Sequence, residues 1–358
     1  MARTRTSSPN PRATIYSVAE RAGVSIATVS RVLQGGPRVA ASTRDKVLAA
    51  ADDLGYVPLG AARSLAVQHH EAHGLVLPEL SGPYYSELLM GFEARAAALG
   101  QSVILVLADS RPDLARAVRQ LATRVDGIAA LGATAMPPDV ARALHGKKPV
   151  VIIAGDPQDG IESIVAENRG SAEALTSHVL DHGRTGLLFV GDPDGAPDIR
   201  DRYAGFAAAH TARRLEARDP VRIPFREADG EQFATRFLVG DYEADALVCA
   251  NDELALSIMA RLQAGGIDVP GDVAVVGWDD VMTARYVRPD LTTVRQPVQD
   301  LGALAADRLH DLVSGSRPTS ESHVLPTELV LRTSCGCNHI ETAPNRPKRA
   351  AQGTGTEV

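Results

Sequence analysis

Short apolar runs alternate with helical segments over much of the chain, from His73 to about residue 280. The runs are "GLVLPEL", "SVILVLAD", "DGIAALGA", "PVVIIAG", "TGLLFVGD", "DALVCAN" and "DVAVVGWDD", and helix-like stretches such as Tyr84–Leu99 and Asp113–Arg124 separate them. Strands that are apolar on both faces and are separated by helices are typical of parallel sheets covered on each side. The pattern predicts an α/β fold.

Polar side chains gather where these predicted strands end. In open parallel sheets, ligands bind beyond the carboxyl ends of the strands. This region is therefore expected to hold a ligand site. The polar residues at these ends are Glu79, Ser81, Asp109, Asp156, Asp192, Asn251, Asp252, Asp279 and Asp280.

A different pattern occupies residues 14–55, where three short helices are predicted. Thr14 and Ser25 suit the starts of the first two helices, and Gly23 suits the end of the first. The third is predicted to begin at Ser42 with a capping box in "STRD" and to end at Gly55. The apolar residues expected in their common core are Ile15, Val18, Ala19, Ala22, Val29, Val32, Leu33, Val47, Leu48, Ala51 and Leu54.

Only a short turn separates the first two predicted helices, and the third is expected to pack against them. This is the arrangement of a helix-turn-helix domain. The arrangement exposes the start of the second helix, where Ile26, Ala27, Thr28, Ser30 and Arg31 have no role in the core. The first 70 residues carry nine Lys or Arg against four Asp or Glu, a net charge of +5. Because the whole chain has a net charge of −7, the remaining residues carry a net charge of −12. A basic head on an acidic body predicts that the head binds a polyanion, although a purely structural bundle is the alternative.

Several protein classes are not indicated. No apolar run approaches the ~18 residues needed to cross a membrane, and the basic N-terminus is not followed by the apolar segment of a secretion signal. Three cysteines are too few for a disulfide framework, so a cytoplasmic protein without a membrane partner is expected. The sequence contains no G-x-G-x-x-G after a strand, no phosphate loop and no G-x-S-x-G elbow. No catalytic residue and no cofactor are predicted.

The stretch from Thr14 to Leu65, which includes "TIYSVAERAGVSIATVSRVLQGG", resembles the DNA-binding head of the lactose/galactose repressor (LacI/GalR) family. The resemblance implies that the second helix reads the major groove, with Ile26 and Ala27 selecting the operator. Both are apolar, so contact with a thymine methyl suits them best. It also implies a hinge helix whose Leu65 wedges into the minor groove. The residues expected to contact DNA are Ile15, Ser25, Ile26, Ala27, Thr28, Ser30, Arg31, Gln34, Arg38, Ala62, Arg63 and Leu65.

Two departures from the family pattern affect the head. Ser17 stands where the family usually has Asp, which is expected to weaken the first capping box. Leu59 and Gly60 replace the usual Asn of the hinge, which exchanges a good helix cap for a poor one. We expect the hinge helix to be unfolded in the absence of DNA.

The body is similar to the periplasmic-binding-protein-like core of the same family. The similarity is carried by "PELSGPYYSELLMGFEARAAALG", "DRYAGF", "ANDELALSIMARLQAGGIDVPGDVAVVGWDD" and "LTTVRQP". It implies two parallel-sheet α/β subdomains that enclose a small molecule, with three crossovers acting as a hinge. The residues expected to bind that molecule are Ser81, Tyr84, Tyr85, Arg202, Asn251, Asp252, Trp278, Asp279 and Gln296.

Simpler roles stay open for several of these residues. Asn251 and Asp279 could cap the helices that follow them, the two tyrosines could be half-buried core, and Arg202 could form a surface ion pair with Asp198 or Asp201. The family's usual Asp-Arg after the fourth strand is Ala154-Gly155 here, and its Asp-Asn is Glu167-Asn168. A sugar, polyol or glycoside is the expected effector, a nucleoside or purine is the alternative, and the sequence does not decide between inducer and corepressor.

The predicted organisation is a basic arm at 1–13, the helix-turn-helix domain at 14–57, the hinge at 58–70, the ligand-binding and dimerisation core at 71–338, and a disordered tail at 339–358. The tail lacks apolar heptads, which favours a homodimer over a coiled-coil tetramer. Cys335, Cys337 and His339 could ligate a soft metal, but without a distant fourth ligand free surface thiols are favoured and no metal is predicted. The alternative class is a cytoplasmic binding protein or enzyme that shares only the core fold.

Overall fold

The computed structural model describes residues 13–33, 39–56, 69–132, 136, 138–144, 146–158, 160–319 and 322–337. The chain divides into two compact units between Glu71 and Ala72. None of the helices in the described ranges is both long enough and apolar enough to span a bilayer. The predicted hinge contacts Ala62, Arg63 and Leu65, the head residues Gln34 and Arg38, and the predicted tail lie outside the described residues.

The N-terminal unit contains three helices, α1 (Ile15–Ala22), α2 (Ile26–Leu33) and α3 (Ala41–Asp53). Their common core is small and aliphatic, with Val18, Val29 and Val47 fully buried. The predicted three-helix head is confirmed.

Local capping explains where the first two helices begin and end. Thr14 and Ser17 form a reciprocal capping box, with side chain to backbone hydrogen bonds of 3.2 and 3.3 Å. Gly23, at φ +65°, closes α1 in the left-handed conformation that glycine adopts at little cost. Ser25 Oγ accepts from the Thr28 amide at 3.2 Å and starts α2. Serine in place of aspartate therefore still forms both bonds of the box.

Two predictions about α3 are wrong. The helix begins one residue before Ser42, and its cap is Ala40, which contributes no side-chain hydrogen bond. A capping box at Ser42 would need an extended backbone there, but Ser42 already lies in the first helical turn. Leu48, expected in the core, is 48% exposed. Val47, Ala50 and Ala51 occupy the inward face, and Leu48 falls beside it.

The second unit carries eleven strands and eight helices within the described residues. The strands are β1 (Ala72–Leu77), β2 (Ser102–Leu107), β3 (Gly127–Leu131), β4 (Val150–Ile153), β5 (Glu162–Ala166), β6 (Leu187–Val190), β7 (Ala246–Cys249), β8 (Ala274–Val276), β9 (Thr293–Arg295), β10 (His323–Leu325) and β11 (Glu328–Val330). The helices are α4 (Pro83–Ala98), α5 (Leu114–Ala122), α6 (Pro138–Leu144), α7 (Arg169–Asp181), α8 (Pro197–Ala212), α9 (Glu227–Leu238), α10 (Asp252–Ala264) and α11 (Val298–Val313).

The strands form two parallel sheets, as predicted. One has the order β10-β5-β4-β3-β1-β2 and the other the order β6-β7-β8, while β9 and β11 make a separate antiparallel pair. β5, β10 and β11 were not among the predicted strands, and β9 lies within "LTTVRQP", which was predicted as a crossover. Strands this short give little local signal, and β9, β10 and β11 pair with distant segments, although β5 pairs with the nearby β4.

The two sheets define two subdomains, joined by three crossovers. The chain leaves the six-stranded subdomain after β5 at 166–169, returns between β9 and α11 at 295–298, and leaves again between β10 and β11 at 325–328. The expected two-subdomain core with three crossovers is therefore present. Two glycines bring α4 and α11 into close contact, because a Cβ at Gly91 would lie 2.0 Å from the Gln299 carbonyl oxygen and one at Gly302 would lie 2.3 Å from that of Leu88.

Candidate functional site

A cavity of about 650 Å³ lies between the two subdomains, beyond the carboxyl ends of their strands. The six-stranded subdomain contributes the segment after β1, the start of α4 and Ala154 after β4. The three-stranded subdomain contributes the first turns of α8, the segment before α10 and the residues after β8. Seven of the nine predicted ligand residues line this cavity, and they are Ser81, Tyr84, Tyr85, Arg202, Asn251, Asp279 and Gln296.

The aromatic wall comes from Tyr84 and Tyr85 in the first turn of α4. Their rings meet edge to face, with centroids 5.7 Å apart and an interplanar angle of 87°. Burial raises the pKa of Tyr84 above its ordinary value and raises the pKa of Tyr85 to about 12. Both phenols are therefore neutral near pH 7, and each keeps a hydroxyl that can donate or accept. The tyrosines are half-buried, as the core interpretation expected, and they also line the cavity.

Arg202 on α8 is held rigidly at the cavity. It is only 6% exposed, its Nε donates to Asn168 Oδ1 at 2.8 Å, and its Nη1 donates to the Ala250 carbonyl oxygen at 2.7 Å. Asp198 lies 3.8 Å from its Nη2, and the guanidinium stacks 4.6 Å above the Trp278 ring. The ion pair with Asp198 considered from the sequence therefore forms, but it is shielded rather than at the surface, because the two side chains are only 7% and 13% exposed. The guanidinium presents a fixed fork suited to a ligand oxygen.

Asp279 and Gln296 form the polar centre opposite the tyrosines. Gln296 Nε2 donates to Asp279 Oδ1 at 2.6 Å, and burial raises the pKa of Asp279 to about 8. Gln296 Oε1 is buried and accepts no hydrogen bond from any residue that the structure describes. A buried acceptor without a partner is costly. The pair therefore provides an acceptor and a carboxyl for ligand hydroxyl groups.

Asn251 has two roles. Its Oδ1 accepts from the Leu254 amide at 3.0 Å and caps α10, and its Nδ2 donates to the Phe225 carbonyl oxygen at 3.1 Å. It also lines the cavity. The capping interpretation is thus confirmed, and the same residue is placed at the cavity wall.

Asp252 and Trp278 do not line the cavity, in contrast to the prediction. Asp252 is fully buried and accepts from Thr293 Oγ1 at 2.7 Å and from the Val281 amide at 2.9 Å. Burial raises its pKa to about 6. It joins the segment after β8 to β9, while Trp278, 2% exposed, lies behind Arg202 and supports it.

Ion pairs across the cleft were not predicted. Arg200 of α8 makes two hydrogen bonds to Asp156, at 2.7 and 3.1 Å, and these lower the pKa of that carboxyl. Arg226 contacts Asp109 at 3.1 Å and Glu79 at 3.9 Å. The acidic partners were recognised as strand-end residues, but the arginines come from the other subdomain and carry no local signal. These pairs connect the subdomains on either side of the cavity.

Two further departures from expectation concern the lining. Ala154, which replaces the family's Asp, faces the cavity without a polar group, whereas Asp198 and Glu253, not predicted, also line it. Burial raises the pKa of Asp198. The carboxyl groups of Asp198 and Glu253 therefore reach the cavity from the three-stranded subdomain. The six-stranded subdomain has no carboxyl group at position 154.

In the head, the predicted DNA contacts on α2 lie largely at the surface. Ser25, Ile26, Ala27 and Arg31 are exposed, and Ile26 keeps 40% of its surface accessible. Thr28 and Ser30 are half-buried, and Ile15 packs against the head's core. The exposed face of α2 is therefore apolar or uncharged apart from Arg31. Such a face can enter the major groove of DNA.

A helix-turn-helix head on a two-subdomain core that encloses a cavity defines a ligand-responsive DNA-binding regulator. Comparison with known proteins agrees. Residues 14–58 match the family model of bacterial regulatory proteins of the lacI family, and residues 176–335 match that of the periplasmic binding protein-like domain.

The HTH-type transcriptional regulator GalR of Escherichia coli (strain K12) is 32% identical over 92% of this chain and 98% of its own length. Catabolite control protein A of Priestia megaterium is 32% identical over 90% of this chain and 98% of its own. A crystal structure of the Lac repressor dimer bound to operator and an anti-inducer superposes with a TM-score of 0.80 at 28% identity, covering 90% of this chain and 99% of that one. The chain belongs to the LacI family and is a DNA-binding transcriptional regulator of the repressor type.

Proposed function

We propose that the chain is a sugar-responsive repressor that binds a palindromic operator as a homodimer. The observation that carries the effector class is the combination of residues on one cavity: the Tyr84–Tyr85 wall, the Arg202 fork, and the Asp279–Gln296 pair. Aromatic faces with a few fixed polar groups fit the apolar faces and hydroxyl groups of a sugar, polyol or glycoside.

The relatives support this proposal. The regulator CelR, whose structure holds cellobiose, superposes with a TM-score of 0.68 at 27% identity over 90% of this chain. The Lac repressor structure contains a dimer on its operator. We infer the same assembly for this chain, with α2 in the major groove, Ile26 and Ala27 at base edges, and Arg31 at the backbone.

The regulatory step follows from the placement of the cavity between subdomains. A ligand that binds the closed form better shifts the population toward it and changes the separation of the two hinge segments in the dimer. Gln296 lies on the 295–298 crossover, so ligand contacts reach the hinge directly. We propose that the protein acts in the cytoplasm, where its operator lies, as a regulator rather than an enzyme.

Thermal unfolding of the full-length chain against sugars, polyols, glycosides and nucleosides tests the effector class. An effector at one hundred times its Kd adds about 2.7 kcal/mol to the free energy of unfolding. A sugar-class hit that is lost in Arg202→Lys supports the proposal, with Arg236→Lys, an exposed arginine remote from the cavity lining, as the matched control. A nucleoside hit with the same dependence on Arg202 would replace the sugar class by the alternative.

A further inference from the structure

Two histidines and two cysteines meet far from the ligand cavity. The ligating atoms of His178, His182, Cys335 and Cys337 all lie within 4.8 Å of one another, and none of the four residues lines the cavity. We name these four residues the His-Cys cluster. The sequence favoured surface thiols because no distant ligand was evident, but Cys335 is fully buried and the distant ligands come from the C-terminal end of α7.

The backbone brings the four side chains together from two separate segments. His178 lies in the last turn of α7 and His182, four residues later, caps its C-terminal end, so the two rings lie on the same side of the chain with their centroids 4.7 Å apart. Cys335 ends a short 3-10 helix, Thr333–Cys335. Gly336, at φ +104°, turns the chain between the two cysteines, a conformation that L-residues rarely adopt.

Four of the six distances between the ligating atoms fit the edges of a tetrahedron around one metal ion, and the remaining two are no longer than 4.8 Å. The two Nε2 atoms are 3.2 Å apart. His178 Nε2 is 3.4 Å from Cys335 Sγ and 3.3 Å from Cys337 Sγ, and His182 Nε2 is 3.4 Å from Cys337 Sγ. Zinc bonds of about 2.0–2.1 Å to nitrogen and about 2.3 Å to sulfur give tetrahedral edges of roughly 3.3 Å for N–N and roughly 3.6 Å for N–S.

The segment that carries the cysteines is held in place by hydrogen bonds of its own. Thr292 Oγ1 lies 3.1 Å from Cys335 Sγ. Ser334 Oγ donates to the Val275 carbonyl oxygen at 2.5 Å and accepts from the Thr292 amide at 2.9 Å. Such outer contacts orient the ligands of a metal site before the metal binds.

We propose that the His-Cys cluster is a structural zinc site. Two thiolates and two imidazoles in tetrahedral arrangement suit zinc among the common metals, and four protein ligands leave no open position for catalysis. The ion joins the residues that follow β11 to α7 of the three-stranded subdomain. Because metal binding free energy is folding free energy, the site stabilises this subdomain rather than selecting the effector.

Metal analysis of the full-length chain, purified under reducing conditions without chelator, tests the proposal. About one zinc ion per chain is expected. The double variant Cys335→Ser/Cys337→Ser and the single variant His182→Ala should each lose at least about nine-tenths of it. Cys249→Ala, which removes the third cysteine from the core, should keep it. His182→Cys, which restores a ligand, should keep most of the zinc that His182→Ala loses.

Two further measurements keep the result interpretable if a variant fails to fold. Loading the native chain with Co²⁺ should produce the visible absorption of a tetrahedral thiolate site, absent in the folded His182→Ala variant. Chelation should lower the Tm of the native chain and leave that of His182→Ala unchanged. Zinc absent even after reconstitution with Zn²⁺ under reducing conditions, or zinc retained by the double cysteine variant, would overturn the proposal.

Discussion

Gln296 donates a hydrogen bond of 2.6 Å to Asp279, and this bond links the ligand cavity to the 295–298 crossover. Asp279 follows β8 in the three-stranded subdomain, and Gln296 follows β9, just before the chain enters α11 of the other subdomain. A ligand that engages this pair therefore contacts a segment that joins the two subdomains.

The first prediction concerns Asp279→Asn. Because burial raises the pKa of Asp279 to about 8, the folded state keeps a proton that the unfolded state releases above its ordinary pKa of 3.8. Stability linked to this group is fully present below pH 3.8 and is lost as pH rises toward 8. Asp279→Asn should raise the free energy of unfolding by at least about 1.4 kcal/mol near pH 8.5, with a smaller gain near pH 5.

At pH 8.5, where Asp279 is largely ionised, the same substitution should weaken effector binding about tenfold, equal to 1.4 kcal/mol, because a neutral amide accepts a hydrogen bond from a ligand hydroxyl less strongly than the carboxylate that it replaces. Urea unfolding at the two pH values and calorimetric titration with the effector measure both effects. Equal stability of the variant and the native chain at both pH values would contradict the role of the buried carboxyl.

The neighbouring Asp280→Asn should have the opposite effect on stability. Burial raises the pKa of Asp280, but the hydrogen bonds from Arg332 and Arg295 outweigh this effect and hold the pKa below its ordinary value. Removing one partner of a buried ion pair typically costs about 3–5 kcal/mol, and a loss of this size is expected at neutral pH. The stabilisation is present above pH 3.8 and is lost as pH falls below it, so the variant and the native chain should converge in acid. The urea series used for Asp279→Asn measures this, and a neutral substitution at pH 7 would contradict it.

The third prediction concerns closure of the cleft. The pairs Arg200–Asp156 and Arg226–Asp109 join the two subdomains through exposed side chains. Exposed pairs contribute about 0.2–1 kcal/mol each. Asp156→Asn/Asp109→Asn should therefore weaken the effector about two- to thirtyfold and reduce the salt dependence of its binding.

Asp241→Asn is the matched control, because its pair with Arg236, at 2.8 Å, lies within one subdomain. Calorimetric titration at low and high salt measures the effect. If the double variant binds as the native chain does at both salt concentrations, the ion pairs do not contribute to closure.

The fourth prediction distinguishes a contact of α2 with the DNA phosphates from its contacts with the bases. Arg31→Ala should weaken binding to all duplexes and reduce the slope of log K against log salt by about 0.9, the value for one phosphate contact. Lys46→Ala, an exposed cation on α3, should leave the slope closer to that of the native chain. Fluorescence anisotropy with labelled duplexes over a salt series measures this, and equal slopes for the two variants would contradict a phosphate contact by Arg31.

Ala27→Gln should instead change which operator is preferred, because a glutamine amide can pair with adenine in the major groove and alanine cannot. Selection of bound duplexes from a randomised pool, compared with the native chain, reports the change. An unchanged preference would place Ala27 away from the base edges.

The helical head could be predicted almost residue by residue. Thr14, Gly23 and Ser25 act within one turn of their own positions, so their effect is legible in the local sequence. Two predictions for α3 failed. The cap is Ala40, which makes no side-chain hydrogen bond, rather than Ser42, and Leu48 lies one residue off the inward face of the helix. Both errors arose because the local sequence pattern allowed two positions for the start of the helix and two for its inward face.

The sequence by itself determined the alternation of apolar strands and helices, the capped head and the strand-end residues Glu79, Ser81, Asn251 and Asp279 of the cavity lining, because each depends on the order of nearby residues or on the ends of parallel strands. Tyr84, Tyr85, Arg202 and Gln296 were expected at the cavity from the family resemblance. Only the tertiary structure decided that Trp278 and Asp252 lie behind the cavity and that arginines from one subdomain pair with acids from the other. It also decided that two histidines at the C-terminal end of α7 meet two cysteines more than 150 positions further along the chain. Contacts between distant segments depend on how helices and sheets pack in three dimensions, and the periodicity of a single segment carries no information about its partner.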